Sequence, residues 1–502
     1  MAALPPQARV APAPASVQTG VQTGAPVEAA RFGPGAPRMS GGGGLAARVL
    51  GRLRGREGGL GARAARAGIW GVVEIGASNV LRLAGNLVMT RLLVPEAFGL
   101  MAMVTVIQTA LVMFTDLGVH QSVVRSPRGD EPRFLRVAWT VQVGRSLGIA
   151  ALVVAAAGLL AALAPRLAPP GSVYADPTLP ALAAVSALLL VLKGLESTNA
   201  WLADRRLQLG RLAFVNLAGQ AVGLAAMVGF AFVHPSVWAL LWGGLVGGAA
   251  TMILTHLVFA GPRMAFAWDR GVADELWRFG RHILGASAVG FFANNADRLL
   301  LGGILDARAF GFYVIALTWV LLFVTIVEKL AGQVGLATLA EATRERPGEL
   351  PGLYRRFGRV IDAICAASFV ACLLVGPLLI HLLYPAEYAA AAWFIPLLAV
   401  MILARRFVPL TGVLLARGDS GALFMVTAIR AAAIFVALPG GDLLFGVAGA
   451  VVGSALTQAF GAPYLIWRAR DVLGPAGVRR EAAWTAAIFA AGVCLLFIFG
   501  GL

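Results

Sequence analysis

The chain has 502 residues, is 59% hydrophobic and only 13% charged, with a mean hydropathy of +0.80. A soluble protein of this size carries roughly twice that charged fraction, so the soluble classes are set aside and a polytopic membrane protein is expected. The formal net charge of +16 is read as loop charge at a membrane surface, and nucleic acid is not an expected partner.

Residues 1–66 form a separate region. They are rich in Ala, Pro, Gly and Arg, repeat Val-Gln-Thr-Gly at 17–24, and set nine arginines against two glutamates. Apolar periodicity is absent, which predicts a disordered basic tail. No apolar core follows the early charges, so a signal peptide is not expected. From Gly68 onward, apolar blocks predict helices at 69–93, 97–124, 137–163, 179–200, 212–233, 236–260, 277–303, 309–333, 360–383, 391–416, 420–438, 443–467 and 483–500. A helix of about 20 such residues spans a hydrocarbon core.

Two stretches repeat. Leu92-Leu93-Val94-Pro95-Glu96-Ala97-Phe98-Gly99 follows the first helix, and Ile304-Leu305-Asp306-Ala307-Arg308-Ala309-Phe310-Gly311 follows the seventh. Ala97 and Ala309 are 212 positions apart. Six helices separate the copies, so both enter the membrane from the same side, as parallel repeats do. The expected fold is an all-α polytopic membrane protein with two parallel-repeat six-helix bundles in a V and an extra C-terminal helix. The expected divisions are a cytoplasmic tail at 1–66, bundles at 67–262 and 263–475, and the added helix within 476–502.

Alternate loops are basic: Arg125, Arg128, Arg133 and Arg136, then Arg205, Arg206 and Arg211, then Arg263 and Arg270, then Arg344 to Arg359, then Arg468 to Arg480. The other set is short and nearly uncharged, including His234-Pro235 and Pro439-Gly440-Gly441-Asp442. The positive-inside rule then puts the N-terminus and the basic loops in the cytoplasm. Cys365, Cys372 and Cys494 lie in apolar segments and are expected to be small buried hydrophobes. No Cys or His spacing suits a metal, and no cofactor is expected.

An ionisable group inside the bilayer needs a partner, water or a function. Arg91 can snorkel, Lys193 and Glu196 can pair, Asp116 lies near a helix end, and Arg405 and Arg406 are read as interfacial. Arg82, Arg145, Asp297 and Arg298 are harder to place that way. Asn79, Arg82 and Asn86 share one face of the first helix, and Asn294, Asn295, Asp297 and Arg298 mark the seventh. A hydrated cavity between the halves would account for both polar stripes; an internal salt-bridge network holding the halves together is the alternative. A cavity lined by arginine suits an anion, because guanidinium binds phosphate oxygens bidentately. The amides of Asn79, Asn86, Gln108, Gln142, Asn294, Asn295 and Gln458 suit sugar hydroxyls.

Several landmarks together are similar to one family. They are Arg91 through Gly99 with Phe114-Thr115-Asp116-Leu117-Gly118, Lys193-Gly194-Leu195-Glu196-Ser197 through Asp204-Arg205-Arg206-Leu207, Ala296-Asp297-Arg298 with Ala309-Phe310-Gly311, and Tyr384-Pro385-Ala386-Glu387-Tyr388. The chain resembles the bacterial polysaccharide flippases of the multidrug/oligosaccharidyl-lipid/polysaccharide exporter superfamily over residues 68–475. The resemblance implies translocation of undecaprenyl-diphosphate-linked oligosaccharide across the cytoplasmic membrane by alternating access. It implies diphosphate contacts at Arg82 and Arg298, with Glu74 and Asp297 as positions for a coupling ion. Expected partners are the lipid-linked oligosaccharide, membrane lipids, and polysaccharide polymerase and export machinery.

Three rivals remain. A drug exporter of the same superfamily would favour acidic cavity residues. A glycan polymerase or ligase would need larger exterior loops and paired carboxylates, which the sequence lacks, so an enzyme is not expected. An unrelated two-bundle transporter would not carry the Ala-Phe-Gly repeat after the first helix of each half.

Overall fold

A computed structural model describes residues 60–331, 337–346 and 348–500. The basic tail lies outside these residues, except that the first helix already begins at Leu60. The described residues from Leu60 onward belong to one compact unit.

The first half contains α1 (Leu60–Met89), α2 (Pro95–Phe114), α3 (Val119–Arg125), α4 (Pro132–Leu167), α5 (Leu179–Gly194), α6 (Asn199–Arg205), α7 (Leu209–Val233) and α8 (Val237–Val258). The second contains α9 (Arg270–Ile304), α10 (Ala307–Ala331), α11 (Ala337–Glu345), α12 (Leu350–Leu383), α13 (Ala391–Ala404), α14 (Val408–Ala416), α15 (Ser420–Phe460), α16 (Ala462–Arg468) and α17 (Arg470–Phe499). Prolines open α2, α4 and α5 in the first turn, where a missing N–H costs no helical bond. Asp269 and Asp419 cap α9 and α15, accepting from the N–H groups of Val272 and Ala422 at 3.2 and 3.1 Å.

Among the described residues, ten helices are long and apolar enough to cross a membrane, or eleven if α5 and α6, bent by 59°, form one span. Two features bring this to the thirteen read from sequence. The stretch Ser420–Arg468 folds back on itself at Phe445 and Gly446, whose backbone angles are not helical. Gly441 meets Gly449 and Gly453 meets Ala437 across the fold, as the arms of a hairpin do. In addition, α9 is less apolar than these ten, with Asn294, Asn295, Asp297 and Arg298 in its second half, yet it runs antiparallel along α2. Gly302 faces Met103 at one end, and Phe291 faces Phe114 at 5.2 Å near the other.

Three local readings are corrected. The segment 97–124 is two helices, because Gly118 takes a left-handed φ of 55° and the Asp116 carboxylate accepts its N–H at 3.0 Å. The turn between the eleventh and twelfth spans is at Phe445–Gly446, not at 439–442; Gly441 is there for close approach to Gly449. Cys365 and Cys372 are buried, but Cys494 is exposed on α17, among residues that face outward like Val493 and Phe497.

Apolar side chains point outward along the spans, among them Phe232, Leu257, Leu374, Leu382, Val436 and Phe497, as a hydrocarbon solvent requires. Small residues let helices approach inside: Gly219, Gly223, Gly243 and Gly247 bring α7 and α8 into backbone contact. At the Ala-Phe-Gly end the halves are joined. Gly99 lies against the Ala307 carbonyl and Gly311 against that of Pro95. The Val173 N–H donates to Leu305 at 3.1 Å, the Tyr174 hydroxyl to Leu299 at 2.8 Å, and the buried Tyr388 hydroxyl to Leu93. At the other end the first turns of α9 belong to the first half. Val272 and Leu276 share an apolar cluster with Val123, Phe134 and Leu135. Ser126 donates to Glu275 at 2.6 Å, and Arg133 pairs with Asp269 at 2.7 Å.

Candidate functional site

The polar residues singled out from sequence line three cavities. The largest, about 630 Å³, lies between α1, α7 and α8 and reaches Phe98 of α2 and Val314 and Thr318 of α10; it holds Arg82 and Asn86. A second, about 310 Å³, holds Asp116, Gln142, Arg145, Lys193 and Glu196. A third, about 240 Å³ in the second half, holds Asn294, Asn295, Asp297, Arg298, Arg405 and Gln458. Arg82 and Arg298 therefore line different cavities, and Leu317 and Leu321 of α10 face the third while Val314 and Thr318 face the first.

The repeat explains the symmetry of the first and third. Shifted by the 212 positions that separate Ala97 from Ala309, Arg82 falls on Asn294 and Asn86 on Arg298. Each half thus puts one arginine and one asparagine, four residues apart, on the equivalent helix, in opposite order.

On α1 the polar face runs Glu74, Ser78, Arg82, Asn86. Glu74 accepts from Asn216 of α7 at 2.6 Å, and Ser78 donates to Gln220 at 2.8 Å. Asn79 is half-buried and lines none of the three cavities. Arg82 has no hydrogen bond or ion pair among the described residues, and the Asn86 Oδ1 is buried without a donor.

Arg145 has a structural task. Its Nε and Nη2 donate to the carbonyls of Thr115 and Val112, both at 2.7 Å. Those carbonyls are freed where α2 ends, and a cation at a helix C-terminus also meets the favourable end of the dipole. Gln108 and Gln142 likewise donate to backbone, at Ser186 (2.7 Å) and Lys193 (2.9 Å).

The third cavity sets two arginines, Arg298 and Arg405, against one carboxylate, Asp297. Arg298 donates to Asn295 at 2.9 Å. Arg405 pairs with Glu328 at 3.1 Å and donates to the Gln458 Oε1 at 3.2 Å. Arg430 reaches the same Gln458 oxygen and the Asn294 Oδ1, the latter at 3.1 Å. The Nε atoms of Arg405 and Arg430 are buried without acceptors. Asp297 accepts from the Tyr313 hydroxyl at 2.6 Å through Oδ2, while its Oδ1 is buried with no donor. With Arg430 and Glu328 bonded to its wall, three guanidiniums stand against two carboxylates, so the cluster carries an excess positive charge and unsatisfied donors.

Sequence reasoning had read Arg405 and Arg406 as interfacial and had not placed Arg430. Arg405–Phe407 form a 3-10 turn that sends the two adjacent arginines apart. Arg406 is 3% exposed and bonds to Asp362 at 2.8 Å and to Glu481 of α17, and Arg480 also bonds to Asp362. Gln458, one of the amides noted in the sequence, joins the cluster to the twelfth span.

Fold and cavities define a polytopic membrane protein of two repeated helical bundles, with charge held in interior cavities. A lipid II flippase MurJ in an inward closed conformation has this fold, with a TM-score of 0.59 at 12% identity over 85% of this chain and 98% of that one. An inward-facing multidrug resistance MATE family transporter of the MOP superfamily gives 0.56 at 14% identity, over 81% and 99%. At these identities the likeness is one of fold. The chain belongs to the polysaccharide biosynthesis protein family, whose model matches residues 88–392. It is also 26% identical over 171 residues to the amylovoran biosynthesis protein AmsL of Erwinia amylovora, covering 34% of this chain and 44% of that protein. The chain thus spans less than half the length of that relative. The family resemblance drawn from the sequence and the all-helical two-bundle fold are both borne out. Among the described residues no group of three His, Cys, Asp or Glu side chains is placed to hold a metal.

Proposed function

We propose that the protein translocates an undecaprenyl-diphosphate-linked oligosaccharide from the inner to the outer leaflet of the cytoplasmic membrane by alternating access, within surface-polysaccharide export. The observation that carries this reading is an amide-lined cavity with Arg298 and Arg405 in its wall and Arg430 bonded to its Asn294 and Gln458 oxygens, the Nε atoms of Arg405 and Arg430 being buried without acceptors. In a low-dielectric interior such donors call for an anion with several acceptor oxygens, which a diphosphate supplies. The amides of Asn294, Asn295 and Gln458 suit sugar hydroxyls beside it.

In this reading the N-terminus and basic loops are cytoplasmic. The two halves, 67–262 and 263–475, move relative to one another, with the first turns of α9 carried by the first half. Closure at the Ala-Phe-Gly end and cavities reaching away from it suit an inward-facing state. Asp297, with one free carboxylate oxygen, is the better ion-coupling position; Glu74 is engaged by Asn216. Arg145 serves structure rather than substrate. Polymerase and export components would take the glycan from the outer leaflet.

The test is reconstitution in liposomes with a fluorescent undecaprenyl-diphosphate oligosaccharide, following its loss from one leaflet with a membrane-impermeant quencher. Arg298→Gln, Arg405→Gln and Arg430→Gln are each expected to slow translocation at least tenfold with normal insertion. Native rates in all three would overturn the assignment of the cavity.

A further inference from the structure

The second cavity, about 310 Å³, lies among α2, α4 and α5, beside the short helices α3 and α6. Its volume is at the lower end of sites that enclose a small ligand. One buried group in its wall is unsatisfied. Gln142 is 8% exposed, and its Nε2 donates to the Lys193 carbonyl at 2.9 Å. A carbonyl can only accept, so this bond fixes the orientation of the amide. The Gln142 Oε1 is then buried without a donor among the described residues. A buried acceptor left unpaired is costly, so a ligand that donates to it gains more than one bound at an exposed group.

The charges around Gln142 balance. Asp116 and Glu196 stand with Arg145 and Lys193 in the wall, and His120 bonds Asp204 at 3.1 Å. Arg145 is held by the Thr115 and Val112 carbonyls, and Asp116 by the Gly118 N–H and the Ser287 hydroxyl of α9, at 3.0 and 3.3 Å. Lys193 and Glu196, read from the sequence as a pair, are not within ion-pair distance, and neither side chain has a hydrogen bond among the described residues. The repeat shows the closed alternative. Shifted by 212 positions, Asp116 and Lys193 fall on Glu328 and Arg405, which pair at 3.1 Å. In the first half the same two positions face a cavity instead.

We infer that this cavity holds a sugar unit of the transported glycan. Balanced charge selects a neutral ligand, in contrast to the excess of arginine around the third cavity. That ligand donates to Gln142 and Glu196 and accepts from Lys193, and a sugar hydroxyl does both. The Trp201 ring, with Ile149 and Leu190, offers an apolar surface to sugar C–H groups. The reach is suitable. Ser287, bonded to Asp116, and Arg298 of the third cavity are eleven residues apart on α9, which is about 16 Å along a helix. A short oligosaccharide spans that distance from a diphosphate held at Arg298. This inference rests on the reading of the protein as a transporter of lipid-linked glycan, and it adds that the first half recognises the glycan while the second holds the diphosphate.

The experiment measures binding of two probes to the full chain in phosphatidylglycerol nanodiscs: undecaprenyl diphosphate, and undecaprenyl-diphosphate oligosaccharide extracted from the host. The native chain is expected to bind the second at least tenfold more tightly. Lys193→Met and Glu196→Gln remove no hydrogen bond found among the described residues. Each is expected to cut that preference at least threefold and to leave the affinity for undecaprenyl diphosphate unchanged. No preference in the native chain, a preference unchanged in either variant, or an equal loss for both probes would overturn the inference. So would disappearance of the preference when phosphatidylethanolamine replaces part of the phosphatidylglycerol, which would assign the cavity to a zwitterionic headgroup. Any of these results with translocation intact in liposomes defeats this inference alone. The expected preference, lost in the variants, without translocation of the glycan lipid leaves the site standing and defeats the functional reading.

Discussion

Gly99 and Gly311 hold the two halves together by a reciprocal contact. Each lies against the carbonyl of the first residue of the other's helix, Gly99 on Ala307 and Gly311 on Pro95. The repeat maps each contact onto the other, which is the geometry of a two-fold interface within one chain. The glycine of the Ala-Phe-Gly sequence is thus a point of close backbone approach between the bundles. A Cβ at either position would run into backbone, which cannot rotate away. Gly99→Ala and Gly311→Ala are each expected to cost about 1–3 kcal/mol, read as a lowered unfolding temperature in detergent. Because both act on one interface, the double variant should lose less than the sum. Full additivity would mean that the two glycines do not share a contact.

The buried charges around α17 make a second case. Arg406, Asp362, Glu481 and Arg480 form a neutral quartet, with Glu481 only 1% exposed. Removing one partner of such a group leaves a buried charge and costs about 3–5 kcal/mol. Glu481→Gln should therefore be strongly destabilising, while Glu481→Gln with Arg406→Met, which keeps Asp362 paired with Arg480, should recover much of the loss. Thermal unfolding of the three variants measures this. The quartet also fixes the turn that aims Arg405 at Gln458, so surviving Glu481→Gln protein should translocate more slowly.

Arg145 separates structure from substrate binding. It holds two carbonyls at the broken end of α2, so Arg145→Gln should lower stability by about 1–3 kcal/mol through the two lost hydrogen bonds. The apparent affinity for lipid-linked glycan, measured on the folded fraction, should hold. A large loss of affinity with unchanged stability would return Arg145 to the substrate site.

These residues also show what could be read from the sequence. The helices, the repeat and the polar stripes were legible because apolar blocks of span length and a motif copied 212 positions apart are one-dimensional signals. Arg405 and Arg406 were not, since a 3-10 turn decides that two neighbours point to different surroundings. The hairpin at Phe445–Gly446 was misplaced for a related reason. Pro439, Gly440 and Gly441 have the chemistry of a turn, yet Gly441 is needed within the helix for contact with Gly449. The separation of Arg82 and Arg298 into different cavities depends on how helices of each half pack, which no local pattern carries.

The docking of α9 on the first half should respond to acid. Asp269 accepts the Val272 N–H and pairs with Arg133; the backbone bond foremost, then the guanidinium, holds its carboxyl below the ordinary value of 3.8. A lowered folded pKa gives stability that is present above the ordinary value and lost as pH falls through the folded one. Cooling of the unfolding temperature on acidification to about pH 3 should be smaller in Asp269→Asn than in the native protein. An equal drop in both would show that this cap does not contribute.

The central claim is that the protein moves a lipid-linked glycan between leaflets. The most direct measurement is deletion of the gene in its own host, followed by isolation of undecaprenyl-diphosphate-linked oligosaccharides and assay of their leaflet by impermeant labelling. Accumulation of one such lipid on the cytoplasmic leaflet, reversed by the native gene but not by Arg298→Gln, is the predicted result. Normal surface polysaccharide with no accumulated lipid-linked intermediate, in a host without a second copy, would contradict it.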